Sequence, residues 1–157
     1  MNRENIYAAL FARISAATWP AIPISGATTW ASASRKMQGW AEVPPGNMPA
    51  LFQTQVSERV KRDPGKPPVW TLMVELRVYV AHLANTDQSV IPTQQLNPIL
   101  DAIQAAMEPT FVDGDPQRCT LGKLVYDCKI VGEVKDFEGD LGDLGVLVIP
   151  VEIIVPF

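Results

Sequence analysis

The stretch WTLMVELRVYVA, residues 70–81, alternates between two kinds of side chain along its whole length. One set of alternate positions is apolar throughout: Trp70, Leu72, Val74, Leu76, Val78 and Val80. The other set includes Thr71, Glu75, Arg77 and Tyr79. Successive side chains of a β-strand point to opposite faces. The pattern therefore predicts a strand with one face in the core and one face exposed to solvent or to another subunit.

Two amphipathic helices are predicted on either side of this strand in the chain. Residues 3–17 place Ile6, Leu10 and Ile14 on one stripe, and the Trp19-Pro20 pair ends that pattern. Residues 94–107 show the same helical spacing of apolar side chains. Pro98 is expected in the first turn of this second helix, where proline is tolerated.

Four further strands are predicted at residues 28–37, 50–57, 121–131 and 145–155. The last one is apolar on both faces, which is typical of a strand covered on both sides. Its Pro150 cannot donate to a ladder, which favours a sheet edge or a bulge.

The segments between these strands complete the predicted fold. Residues 58–69 are expected to form a long polar hairpin tip, and KDFEGDLGDLG, residues 135–145, an acidic connection. The sequence thus predicts a single α+β domain over residues 1–157. It has a mainly antiparallel or mixed β-sheet of four to five strands, flanked by two α-helices.

Composition limits the class of protein. The 157 residues are 47% hydrophobic and 19% charged, which is typical of one globular domain. The net charge of −4 argues against a nucleic-acid binder. Charge is unevenly distributed, because residues 1–80 hold nine basic and five acidic side chains (+4), whereas residues 81–157 hold four and twelve (−8).

The N-terminus and the cysteines bear on cellular location. The first residues are similar to a secretory signal peptide, but Glu4 and Arg13 interrupt that pattern. The longest apolar run, residues 146–157, is shorter than the ~20 residues of a membrane helix. We therefore expect a soluble protein made in a cytoplasm. There the only two cysteines, Cys119 and Cys128, are expected to be free thiols.

The sequence offers little catalytic chemistry. His82 is the only histidine, so a histidine-based metal cluster is excluded, and an imidazole at a strand end is more often structural than catalytic. Gly139, Gly142 and Gly145 do not have the spacing of a phosphate-binding loop. We expect no catalytic residues, no metal and no cofactor, and an enzyme acting on a small ligand is the weakest of the alternatives.

Two charged clusters are the candidate binding residues. The basic cluster holds Arg59, Lys61, Arg62 and Lys66, with no interleaved aromatic residue to stack on a nucleic-acid strand. The acidic cluster holds Asp136, Glu138, Asp140 and Asp143. These carboxylates have the oxygen-ligand character of a calcium site. A solvated hairpin tip is favoured, because the segment lacks the helix flanks and terminal glutamate of an EF-hand loop.

Three parts of the chain resemble the tail terminator family of long-tailed bacteriophages, also called tail completion or minor tail proteins. The first part is the opening helix MNRENIYAALFARI, and the second runs from Ser34-Arg35 through Gly39-Trp40 to Pro49-Ala50-Leu51-Phe52. The third is LNPILDAIQAAMEP followed by TLGKLVYDCKIVGEV. The family commonly has a second glycine after TLG, where this sequence has Lys123.

The resemblance implies a structural virion protein that is not an enzyme. Such a protein forms a ring, commonly a hexamer, at the head-proximal end of the tail tube, where it stops tube growth and offers the surface that joins the head. The implied partners are copies of itself, the tail tube protein and a head-completion or neck protein. Genomic DNA would pass through the lumen without specific binding, and no membrane is involved. The alternative is another neck component, such as a stopper.

The residues expected at contacts follow from charge and from position. Arg59, Lys61 and Arg62 are expected to face Asp136, Glu138 and Asp140 of a neighbouring subunit, with most of the affinity supplied by the strand at 146–155. Trp40 is a further contact candidate beside Pro44-Pro45. Leu51 is another, because Phe52 is expected to enter the core and Leu51 to face the other side.

Overall fold

The computed structural model describes residues 1–81, 91, 93–109, 116–138 and 144–156. His82, Asp140 and Asp143 lie outside these ranges. In chain order the helices and strands are α1 (Arg3–Ser15), β1 (Ser32–Ser34), β2 (Ala50–Lys61), β3 (Val69–Ala81), α2 (Thr93–Ala106), β4 (Asp127–Ile130), β5 (Lys135–Glu138) and β6 (Leu144–Pro156).

The strands form one mixed sheet in the order β1-β2-β3-β6-β4, and β5 also pairs with β6. β1 runs parallel to β2, whereas every other pair is antiparallel. This confirms the α+β class with two helices and a mixed sheet. The described residues contain six strands, one more than the upper expected number.

The central ladder joins β3 to β6 over thirteen residue pairs, from Val69↔Pro156 to Ala81↔Leu144. The predicted apolar face of β3 is confirmed, because Leu72, Val74, Leu76 and Val78 are buried. On this face the sheet packs against α1 and α2. The buried side chains of the helices are Ile6, Tyr7, Leu10 and Ile14 of α1 and Gln95, Leu96, Ile99 and Ile103 of α2.

α1 begins and ends as its sequence favours. The side chain of Asn2 accepts a hydrogen bond from the Asn5 amide at 3.2 Å, and Glu4 lies in the first turn. Arg13 lies in the last turn. An N-cap oxygen satisfies an otherwise unpaired amide, and charges of these signs complement the helix dipole.

Within the residues that the structure describes, the opposite face of the sheet is covered at one end only. A second cluster of buried side chains lies there, beneath the segment that carries two short 3-10 turns, Trp40–Glu42 and Pro45–Asn47. The cluster consists of Val43, Met48, Ala50, Phe52, Tyr79 and Val146. Further along β6 on this face, Val148, Pro150, Glu152 and Ile154 are only half-buried. β6 is therefore not covered on both sides along its whole length, contrary to expectation.

Pro150 lies in an interior strand, not at an edge. Its carbonyl accepts from the Val131 amide at 3.0 Å, on the side of β6 away from β3. The nitrogen and carbonyl of a strand residue point to the same side, so the missing donor also faces away from β3. At that point β4 has ended at Ile130 and β5 has not begun, so no ladder bond is lost.

Several predicted boundaries were wrong. The strand expected at 28–37 is confined to β1, and the one expected at 121–131 is confined to β4. β2 continues to Lys61 and pairs with β3 throughout, so the polar hairpin tip spans residues 62–68 and not 58–69. Pro98 is the sixth residue of α2 and not part of its first turn.

The acidic segment after β4 also differs from expectation. Residues 135–138 form β5, which pairs with residues 145–148 of β6. Asp136 and Glu138 therefore belong to a strand and not to a hairpin tip. Composition offers little sign of this strand, because Phe137 is its only apolar residue and the strand exists through its pairing with β6.

A left-handed turn precedes β4. Leu121, Gly122 and Lys123 all have positive φ, at 49°, 71° and 69°. The Lys123 amide donates to the Thr120 hydroxyl at 3.2 Å, and the Leu124 amide donates to the Thr120 carbonyl at 3.0 Å. Glycine adopts this backbone without steric cost, whereas leucine and lysine do not.

We expect Lys123→Gly to stabilise the protein. Relief of about 1–2 kcal/mol of left-handed strain outweighs a glycine entropy cost of about 0.5–1 kcal/mol. Gly122→Ala is the matched control. An added Cβ meets no atom within 4 Å there, so its expected loss of about 1 kcal/mol reports backbone strain alone. Urea unfolding measures both changes, and a destabilised Lys123→Gly variant would contradict the account of this turn.

Leu76→Ala should lower the free energy of unfolding by about 2–5 kcal/mol, because it leaves a cavity at a fully buried position in the central ladder. Arg77→Ala is the control on the opposite face. Arg77 is half-exposed and pairs with Glu75 across 2.6 Å, a surface ion pair worth about 0–1 kcal/mol. Equal losses in urea unfolding would show that the two faces of β3 are wrongly assigned.

Candidate functional site

The outer edge of β2 is open over most of its length. β1 pairs only with Ala50, Leu51 and Phe52, and no other strand of the described residues pairs with the remainder of that edge, residues 53–61. Side chains from residue 55 to residue 61 are exposed, including Val56, which is 59% exposed. An open edge presents unpaired amides and carbonyls to which another strand can add.

α1 fixes the position of this edge. The Glu58 carboxylate accepts from Arg3 Nε at 2.7 Å and from the Tyr7 hydroxyl at 3.0 Å. Arg3 also lies over the Trp70 ring, 4.7 Å from its centroid. Burial and the hydrogen bond to Glu58 raise the pKa of Tyr7 to about 12, so its hydroxyl stays protonated and donating at neutral pH.

The basic cluster lies along this edge and at its end. The Glu58 carboxylate is hydrogen-bonded to two residues of α1. The exposed side chains of Arg59, Lys61 and Arg62 therefore determine the sign of the charge along this edge. Lys61 Nζ lies 3.4 Å from Asp63, an exposed pair that is weak in water. Counted over residues 59–66, four cations and one carboxylate give +3.

The opposite edge of the sheet is made by β4 and β5, which pair side by side with the outer side of β6. Asp136 is exposed on β5, and Glu138 ends that strand. On β4, Lys129 Nζ lies 3.6 Å from Asp127 and 3.8 Å from Glu152 of β6. Residues 127–138 carry four carboxylates and two lysines, which give −2.

The strand order separates these two edges by β3 and β6. With about 4.8 Å between neighbouring strands, they lie roughly 14 Å apart across the sheet. The basic cluster and the two described acidic residues, Asp136 and Glu138, therefore lie on opposite edges of the sheet, which the sequence alone could not show. The two edges carry charges of opposite sign.

Trp40 borders a groove on the partly covered face of the sheet. Its side chain is 41% exposed, and the groove has a volume of about 330 Å³. The remaining lining residues are Glu75, Arg77, Tyr79, Lys135, Phe137, Val146 and Val148. The Tyr79 hydroxyl donates to the Gln38 carbonyl at 3.1 Å and so ties the Trp40 segment to β3.

Leu51 is placed differently from Trp40. It is 0% exposed and packs in the main core between the sheet and the helices, while Phe52 lies in the second cluster on the other face. The two residues do face opposite sides, as expected. Both sides are buried there, so this subunit does not present the Leu51 side chain to a partner.

β6 is enclosed within the subunit on its two edges and on its core face. Both of its edges are paired, and its core-facing side chains Ile149, Val151 and Ile153 are fully buried. The half-buried face of β6 is the part of this strand left for contact with another molecule. The expectation that residues 146–155 supply most of the contact affinity stays a prediction.

A smaller cavity of about 280 Å³ lies between residues 22–25, residues 45–49 and the start of α2. Its lining is mostly apolar, but Gln95 borders it and is 0% exposed. Neither polar atom of the Gln95 side chain has a hydrogen-bond partner in the structure as described. The helical pattern identified α2, but it gave no sign that this glutamine is buried.

Comparison with models of known protein families finds no match for this chain, and comparison with curated proteins finds none at the significance required. Among the described residues, the helices are too short or too polar to cross a membrane.

Proposed function

We propose that this chain is a structural virion protein that forms a ring at the head-proximal end of a phage tail tube. There it stops tube growth and provides the surface that joins the head. The observation that carries the proposal is that the described sheet ends in two edges of opposite charge, +3 over residues 59–66 and −2 over residues 127–138. The resemblance of three sequence segments to tail terminators supports the same function.

A closed ring requires one surface of a subunit to contact a different surface of the next. In the proposed contact, the outer edge of β2 adds to β5 of the neighbour. β5 offers four positions, and the end of β2 that carries Arg59 and Lys61 would pair with them. Main-chain hydrogen bonds would then continue the sheet from subunit to subunit.

Charge selects this pairing and its register. Arg59, Lys61 and Arg62 would lie opposite Asp136 and Glu138, and Asp140 is a further candidate outside the described residues. Complementary charges of this kind steer association and suppress wrong partners more than they add affinity. The exposed Val56 and Val60 on the β2 edge supply apolar surface that the contact would bury.

The proposed partners follow from position at the end of a tail. They are copies of this chain, in a ring that the resemblance indicates is hexameric, together with the tail tube protein and a neck or head-completion protein. Assembly takes place in the host cytoplasm, and the mature location is the tail–neck junction of the virion. Genomic DNA passes through the lumen without specific binding, consistent with the net charge of −4.

Negative-stain electron microscopy distinguishes the proposed function from its nearest alternative. The purified protein is mixed separately with tail tubes of the same phage and with isolated heads that carry open portals. We expect rings that cap tube ends and leave the portals open. Occupied portals with uncapped tubes would instead identify a stopper, and binding to neither would overturn the proposal of a neck protein.

Reversing the basic edge should prevent ring formation. We expect Arg59→Glu, Lys61→Glu and Arg62→Glu together to leave the subunit folded, because all three side chains are exposed. Light scattering should detect the single subunit and no ring for this variant. Wild-type assembly should also weaken with added salt, since the Debye length falls from about 10 Å at 0.1 M to about 3 Å at 1 M.

Two further variants control this experiment. Arg59→Lys, Lys61→Arg and Arg62→Lys keep the charge and should assemble as the wild type does. Asp136→Lys, Glu138→Lys and Asp140→Lys, combined with the three glutamates, should partly restore the ring. If ring assembly is unchanged both by the charge reversal and by added salt, charge does not drive ring formation.

A further inference from the structure

The cavity of about 280 Å³ lies where three separate segments meet, between residues 22–25, residues 45–49 and the start of α2. Every described residue that lines it is uncharged, and Ser25 and Gln95 are the only polar side chains among them. Moving an ion from water into such surroundings is costly. The lining therefore favours a neutral occupant.

Gln95 is the unusual member of this lining. It lies in the first turn of α2 and is 0% exposed. Neither its amide nitrogen nor its amide oxygen has a hydrogen-bond partner among the residues that the structure describes. Buried polar side chains nearly always have one, because an unpaired group loses its hydration without compensation. The carboxamide thus offers both N–H donors and an acceptor oxygen to whatever fills the cavity.

The turn at Ile24 gives the cavity a fixed wall. The Ser25 amide donates to the Pro23 carbonyl at 2.8 Å, and the Gly26 amide donates to the Ile22 carbonyl at 3.0 Å. Ile24 has a φ of 71°, a left-handed backbone that a β-branched residue rarely adopts. Backbone strain of this kind is concentrated at ligand clamps and active sites. A wall held in place before the ligand arrives also lowers the entropy cost of binding.

The volume limits the size of the occupant. An engineered apolar cavity of about 150 Å³ takes up benzene. A volume of about 280 Å³ has room for about ten non-hydrogen atoms on the same scale. That is one ring or branched chain together with one small polar head.

We propose that this cavity binds a neutral small molecule with an apolar body and a carboxamide head that faces Gln95. Two carboxamides pair through hydrogen bonds donated in both directions, so one such head satisfies the nitrogen and the oxygen of Gln95 together. The apolar body contacts the remaining lining, which includes Ile22, Met48 and Val80.

The cavity lies away from the basic cluster of the proposed ring contact. Pro49 precedes β2, and Val80 and Ala81 end β3, whereas Arg59 lies towards the other end of β2. At the rise of a β-strand, this separation is roughly 30 Å. A single subunit contains the whole site, so ligand binding and ring formation can fail independently.

Nuclear magnetic resonance titration of the wild-type protein with phenylacetamide, phenylacetate and ethylbenzene tests the assignment. We expect phenylacetamide to bind with a dissociation constant of about 0.1–1 mM. It should shift the side-chain amide signals of Gln95, identified as the pair missing from Gln95→Leu. Ethylbenzene lacks the head and should bind about tenfold more weakly. Phenylacetate should not bind, because its charge would be buried without a partner.

Two glutamine variants separate recognition from folding. Gln95→Leu removes the partner of the head and should reverse the preference, so that ethylbenzene binds more tightly than phenylacetamide. Gln53→Leu is the matched control. Gln53 is also buried, but its side chain donates to the Tyr7 carbonyl at 2.9 Å and does not line the cavity. This variant should keep the wild-type order of affinities, and urea unfolding confirms that both variants are folded.

Three results would overturn the proposal. Absence of saturable phenylacetamide binding up to about 10 mM would show that the cavity holds only water. Equal affinities for phenylacetamide and ethylbenzene in the wild type, or an unchanged order in Gln95→Leu, would show that Gln95 does not recognise the head. Loss of ring assembly in Gln95→Leu, with no ligand bound by the wild type, would show that a side chain of a second copy fills the cavity.

Discussion

The antiparallel pairing of β3 with β6 is the interaction on which the rest of this structure depends. It joins thirteen residue pairs from distant parts of the chain and places the core faces of both strands on the same side. α1 and α2 bury that side, so the helices have a position only once the ladder exists. Strands this far apart in sequence pay a loop-closure cost before their contacts form.

The ladder also decides which surfaces remain open. Because β3 and β6 occupy the middle of the sheet, the more polar strands are left at its two sides. β2 lies on one side, covered by β1 over three residues, and the short strands β4 and β5 lie on the other. Pro150 is tolerated in the interior because its missing donor falls where β4 has ended and β5 has not begun. The same interruption keeps the acidic edge in two pieces.

The sequence predicted those parts of the fold that local periodicity encodes. β3, α1 and α2 each repeat an apolar side chain over many residues, and each was found within a few residues of its expected bounds. β5 was missed because pairing with β6, and not composition, makes residues 135–138 a strand. The burial of Leu51 was missed for a similar reason. Alternation along a strand assigns a side chain to one face of the sheet, but it does not show which element covers that face. The sequence offered both charged clusters as candidate contacts. It could not place them on opposite edges, because edge position is a property of the strand order.

Open edges are a hazard for a β-sheet, and natural sheets protect them with charges, bulges and short strands. All three devices are present here: cations on β2, a register shift between Gln55 and Ser57, and the four-residue strands β4 and β5. By themselves, these three features would only keep the protein from aggregating.

The signs of the charges on the two edges have a further consequence. Two β2 edges would add positive charge to positive charge, and two acidic edges would bring carboxylates together. Like charges directly opposite each other destabilise a strand pair. Both symmetric pairings are therefore disfavoured, and the pairing of one edge with the other is the one that remains. A contact between two different surfaces leaves a free edge at each end of an open chain of subunits, and the chain closes into a ring only when the rotation between subunits permits it. The charges that protect the single subunit are thus the ones that would direct its copies into the head-to-tail contact of the proposed ring.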